Sequence, residues 1–127
     1  MNTDGTGPDG ICDRVTACAG TVANAIGLGL PEVIYENALA YELRMAGLAV
    51  RQQEAVPICY DGVIVGNYTV DLLVENAVLV ELMVVPRRNA FDSARCTRFL
   101  KATGLARSML VNFGHPRLRI RHMKGGA

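Results

Sequence analysis

Two carboxylates stand inside apolar runs. Asp71 lies in "NYTVDLLV" and Glu81 in "VELMVV", both rich in β-branched residues that read as strands. A carboxylate in such a setting must find a cation, a proton or hydrogen-bond donors. If Val74 pairs with Val78 around a three-residue turn of Glu75, Asn76 and Ala77, Asp71 faces Glu81 across the hairpin. With a two-residue Glu75-Asn76 turn the register slips by one and the acids point to opposite faces. Facing acids could share Mg2+ or Mn2+, which take oxygen ligands. Acids at strand ends, open to water or paired with Arg, would need no ion. Met83, two positions beyond Glu81, shares its strand face.

Charge divides along the chain. Residues 1–86 hold three Arg against eleven Asp or Glu, and residues 87–127 hold ten Lys or Arg against one Asp. The basic end suits a polyanion such as nucleic acid; the other reading is that the two halves pair with each other or with a second subunit. In "RLRIRHMK", Arg117, Arg119 and Arg121 would share one face of a strand, with Leu118 and Ile120 on the other. A solvated edge strand would carry the same pattern.

The positioning elements follow from periodicity. Ile11, Val15, Cys18, Val22 and Ile26 form the apolar face of a first helix that "GLGL" ends. Pro31 suits the first turn of a second helix that runs to Gly47, a C-cap, and carries Glu32 and Glu36 one turn apart. Extended segments follow at 48–60, 63–74 and 77–85, with Asp61-Gly62 as a hairpin turn. A helical stretch at 91–103, a strand "SMLVNF" and the basic ribbon complete the chain. The expectation is one mixed α/β or α+β domain over residues 11–127, helices covering a central sheet, after a flexible tail at 1–10.

Other features have plain readings. Cys12, Cys18, Cys59 and Cys96 show neither a CxxC pair nor zinc-site His spacing, so reduced thiols and a cytoplasmic setting are expected. No apolar run approaches the ~20 residues of a membrane span, so no membrane partner is expected. Gly27 and Gly29 follow no strand and precede no Gly-Lys-Ser/Thr, which fits a turn between helices better than a nucleotide loop. Tyr35 and Tyr41 read as packing aromatics, and His115 as a turn residue.

The stretches "GLGLPEVIYENALAYELRMAGL", "YDGVIVGNYTVDLLVENAVLVEL" and "RFLKATGLARSMLVNFG" together resemble the GxxExxY protein family of the PD-(D/E)XK nuclease superfamily. The resemblance runs from about Val22 to Arg121. It implies a restriction-endonuclease-like core: a mixed central sheet flanked by helices, with a helical Glu, a strand Asp and a Glu-x-Lys on the next strand. Glu32, Asp71 and Glu81 match the three acids, which would be the catalytic and metal-holding set. Three positions depart: Met83 stands where the lysine is expected, Arg95 where a Gln is usual, and Ala23 where a His is common. The implied chemistry is divalent-metal phosphodiester cleavage without an organic cofactor. Methionine supplies neither a proton nor a charge, so the expected protein binds nucleic acid through Arg95, Arg117, Arg119 and Arg121, with cleavage weak or lost; for Arg95 an ion pair with Glu81 is the equal alternative to phosphate binding. An active nuclease with a relocated base and a non-enzymatic interaction module are the alternatives.

Overall fold

The computed structural model describes residues 7–86 and 93–125, without the side chains of residues 93–95. Helix α1 spans Pro8–Ile26 and α2 Glu32–Met45. Strands β1 (Val50–Tyr60), β2 (Val63–Val74) and β3 (Val78–Met83) precede α3 (Ser93–Thr103), and β4 (Arg107–Asn112) and β5 (Arg119–Lys124) follow it. The five strands lie in chain order. β1–β2, β2–β3 and β4–β5 are antiparallel, and β3–β4, joined through α3, are parallel. This is a mixed sheet flanked by helices, as expected. No described helix is long and apolar enough to cross a membrane.

α1 starts before the expected domain boundary at residue 11. Pro8 occupies the first turn, where its missing N–H costs nothing, and Asp9 sits at the positive helix end. The expected tail over residues 1–6 lies outside the described residues. The buried stripe of α1 is Ile11, Cys12, Val15, Ala19 and Val22, rotated slightly from the expected face so that Ile26 is exposed.

Two apolar clusters hold the layers. On one face α1 and α2 bring Val15, Tyr35, Leu39 and Leu43 against Leu72, Val80, Val111 and Phe113. On the other, Cys96 and Leu100 of α3 meet Val70, Leu73, Leu79, Leu110 and Met123. Each such large side chain contributes on the order of 1.5–3 kcal/mol by leaving water. The Tyr35 and Phe113 rings stack with centroids 4.3 Å apart. The Tyr35 hydroxyl donates to Gly27 O at 2.7 Å and accepts from Leu30 N–H at 3.1 Å, fixing the loop that starts α2. Gly29, at φ +88°, donates its N–H to Phe113 O, and a Cβ there would meet the His115 ring at 3.0 Å. The positive φ favours glycine here, and a side chain would also have to displace the His115 ring. Arg14 of α1 donates to Ala46 O, capping α2.

Charge from the two halves of the chain meets in part. Arg107 on β4 grips Asp9 at 2.7 and 3.1 Å and holds its carboxyl below the usual range.

Candidate functional site

The turn after β2 settles the register left open by the sequence. Glu75 and Asn76 both take positive φ, Ala77 N–H bonds Val74 O at 3.0 Å, and Val74 pairs with Val78. Glu75 is pinned from both sides: its N–H donates to Ala49 O, and its carboxylate accepts from Ala49 N–H. The three-residue turn brings Asp71 opposite Glu81.

There the ladder stops. β2 and β3 pair only at Leu72–Val80, Leu73–Leu79 and Val74–Val78. One step beyond, side chains take over: Leu82 N–H donates to Asp71 Oδ2 at 2.8 Å, and Asp71 N–H reaches Glu81 Oε1 at 3.4 Å. The same place interrupts β1. Gln53, opposite Asp71 in the register, sits at φ +50° between the Gln52–Leu72 and Glu54–Val70 pairs. Side-chain alternation slips too, since Val70 joins the α3-side cluster while Leu72, two positions on, joins the other. A non-glycine residue in the left-handed region costs roughly 1 kcal/mol or more and persists only where its surroundings impose it.

The Gln53 side chain supplies that reason. Its amide nitrogen donates to Glu36 Oε1 at 2.7 Å and to Asp71 Oδ1 at 3.1 Å. Gln52 donates to Glu36 Oε2 at 2.9 Å and Asn37 Oδ1 at 2.8 Å, and accepts from Arg44 at 3.2 Å. A polar seam therefore runs from α2 through β1 and β2 to the backbone of β3. Gln52 and Gln53 were not singled out from sequence, and Glu36 was noted only as lying one helical turn from Glu32. Glu36 is buried on the inner face of α2, and its helical spacing from Leu39, Ala40 and Leu43 was the available signal.

Glu32, exposed at the start of α2, belongs to the same negative region. Its carboxyl is pushed above the usual glutamate range by partial burial first, then by the charges of Asp71 and Glu36. A raised carboxyl favours the folded state while protonated; the penalty appears as pH rises from the ordinary glutamate pKa through the raised one. Glu32→Gln should consequently raise Tm slightly at neutral pH and converge with wild type in acid, which melts across that range would show.

Glu81 is buried at the end of the β3 row Leu79–Glu81–Met83, and Met83 packs against the α3-side cluster. The expected lysine position is thus filled by apolar packing. The strand end is held by Asn112, fully buried, whose Oδ1 accepts from Val85 N–H and Gly114 N–H and whose Nδ2 donates to Val85 O. A Cβ on Gly114 would lie 2.0 Å from Val85 O, so this bracket needs glycine.

By donor type the acids fit a hard divalent cation, which takes carboxylate oxygens. Among the described residues, however, no three His, Cys, Asp or Glu side chains converge on one point, and the Gln53 amide already engages Asp71. The basic residues are dispersed. Arg117 precedes β5 in an exposed turn and so does not share the expected strand face; Arg119 donates to Val85 O at 3.3 Å; Arg121 is exposed on β5. The expected role of the Arg95 side chain falls outside the described residues. A separate pocket of about 480 Å³ lies between α3 and the end of β5, lined by Thr97, Lys101 and Lys124 among others.

No curated protein matches the sequence. The crystal structure of SSO0001 is similar at 11% identity with a TM-score of 0.48, over 91% of this chain and 60% of that one. The chain therefore spans less than two-thirds of that protein's length. A family model described as the PD-(D/E)XK nuclease superfamily matches residues 9–123, and the chain belongs to that superfamily.

Proposed function

We propose that this chain is a GxxExxY-type, nucleic-acid-binding protein whose two-carboxylate phosphodiesterase site is degenerate, with cleavage weak or lost. The observation that carries the reading is the contrast across one strand end: Asp71 and Glu81 face each other where the ladder breaks, while Met83 joins the apolar cluster under α3. Asp71, Glu81 and Glu32 are the residues that would hold Mg2+ or Mn2+. When bound, such an ion supplies Lewis acidity and an activated water. The chain's own residues would orient it, but no ammonium at position 83 would help deprotonate the water or offset charge on the phosphate.

Nucleic acid would be held by Arg117 and Arg121, exposed near β5, with Arg95 and Arg119 as further contacts. A mixed pool of single- and double-stranded DNA and RNA is expected to bind and to remain largely uncut with either metal. Replacing Arg117 and Arg121 with Gln should lower the slope of log affinity against log salt by about one unit for each phosphate no longer neutralised. Efficient wild-type cleavage abolished by Asp71→Ala would overturn the degenerate reading in favour of a relocated base. Absence of binding at low salt would leave the interaction-module reading.

A further inference from the structure

One amide nitrogen sits between two carboxylates at the break in the sheet. Gln53 Nε2 donates to Glu36 Oε1 at 2.7 Å and to Asp71 Oδ1 at 3.1 Å, so these oxygens, one from α2 and one from β2, converge on a single point. The other oxygen of each acid is held elsewhere. Glu36 Oε2 accepts from Gln52 at 2.9 Å, and Asp71 Oδ2 accepts from Leu82 N–H at 2.8 Å. Both carboxylates therefore keep an anchor if the Gln53 amide leaves.

The amide is a weak occupant for this place. Glu36 is buried, and among the described residues neither it nor Asp71 has a salt bridge; the donors that serve them are neutral N–H groups. Carboxylates drawn to one point repel each other, and a neutral donor offsets less of that repulsion than a cation attracted to both. Gln53 is itself exposed, so its amide can swing into water without opening either apolar cluster. A hard divalent ion takes carboxylate oxygens, and at this point it would need the two that the amide now engages.

We infer that the Gln53 amide holds the cation's place: it competes with a divalent ion for Glu36 and Asp71, and Glu36 is a carboxylate through which that ion is bound. The inference rests on the two-carboxylate site proposed above and adds Glu36 to it. Metal affinity, and not only cleavage, is then a property that a residue of β1 sets.

Mn2+ binding to the full, chelator-treated chain without nucleic acid tests this, followed by the paramagnetic resonance of free Mn2+. Gln53→Ala should bind at least about tenfold tighter than wild type. Adding Glu36→Gln should remove that gain, while adding Glu42→Gln instead, further along α2, should leave it. Gln53→Gly, which suits the positive φ, should gain as alanine does, and metal-free melts show whether each variant is folded. In wild type, the Gln53 side-chain amide resonances should shift on uptake of Mg2+ as their bonds to the acids are lost. Equal affinity in wild type and both Gln53 variants, or binding by none of them, would overturn the inference. Weaker binding by the variants would overturn it in favour of Gln53 as a ligand through its carbonyl oxygen, and a gain that survives Glu36→Gln would overturn the role of Glu36. Amide resonances that stay unmoved as wild type takes up Mg2+ would overturn it without any substitution. Nucleic-acid binding and cleavage are measured apart, so a strongly cutting wild type would overturn the degenerate-site reading and leave the Mn2+ titration to decide the role of Gln53.

Discussion

Met83→Lys should raise Mg2+- or Mn2+-dependent cleavage of nucleic acid by on the order of a hundredfold over wild type, equivalent to ~3 kcal/mol of transition-state stabilisation. Position 83 shares a strand face with Glu81 and is only half-buried, so a lysine can lay its stem along the α3-side cluster and bring its ammonium towards the acids. An ammonium there would supply a positive charge and a group able to handle a proton. If the gain depends on an ion held by the acids, adding Asp71→Ala to the lysine variant should abolish it. Cleavage of the mixed nucleic-acid pool, with folding checked for every variant, is the measurement. A lysine variant that folds, binds nucleic acid and cuts no faster than wild type would show that a lysine at position 83 does not suffice for cleavage.

The second large effect concerns stability. Gln53→Ala should destabilise the fold by about 1–2 kcal/mol, because buried Glu36 and half-buried Asp71 each lose one donor, while Gln52 and Leu82 N–H still serve them and water can reach the exposed position. Alanine retains the strained positive φ, so it gains nothing in return. Gln53→Gly loses the same donors but relaxes the backbone, and should recover about 1 kcal/mol relative to alanine. Denaturant melts of the three proteins separate the two contributions. Equal stability of the alanine and glycine variants would show that the left-handed conformation carries no strain of its own.

Much of the fold was legible because strand and helix periods are written in apolar residues. The 63–74 strand, the Asp61-Gly62 turn and the second helix emerged close to their observed limits, since each is bounded by glycine, proline or a turn pair. The meeting of Asp71 and Glu81 was legible only as one of two registers, because turn length decides it and Glu75-Asn76-Ala77 lacks the glycine that would have announced its positive φ values. Gln53 was hidden for a deeper reason. Its role depends on a left-handed residue within a strand, a conformation that no local pattern favours and that contacts from α2 and β2 impose. Likewise Asn112 sits in an apolar strand as a single amide, and its partner Val85 O and N–H are backbone groups that carry no signature in the sequence. The three arginines near the C-terminus looked equivalent by alternation; the strand's start at Arg119 and the bond from Arg119 to Val85 O make them unlike.

The Asp71 carboxylate that accepts Leu82 N–H also bears on how such a protein changes over generations. With only three backbone pairs between β2 and β3, this carboxylate does part of the work of a fourth, tying the long hairpin to the rest of the sheet. Selection on folding therefore resists its replacement whether or not the protein cuts anything. No comparable duty falls on position 83, where an apolar side chain satisfies the neighbouring cluster. In this fold the presence of the Asp71 carboxylate is accordingly evidence of architecture as much as of catalysis.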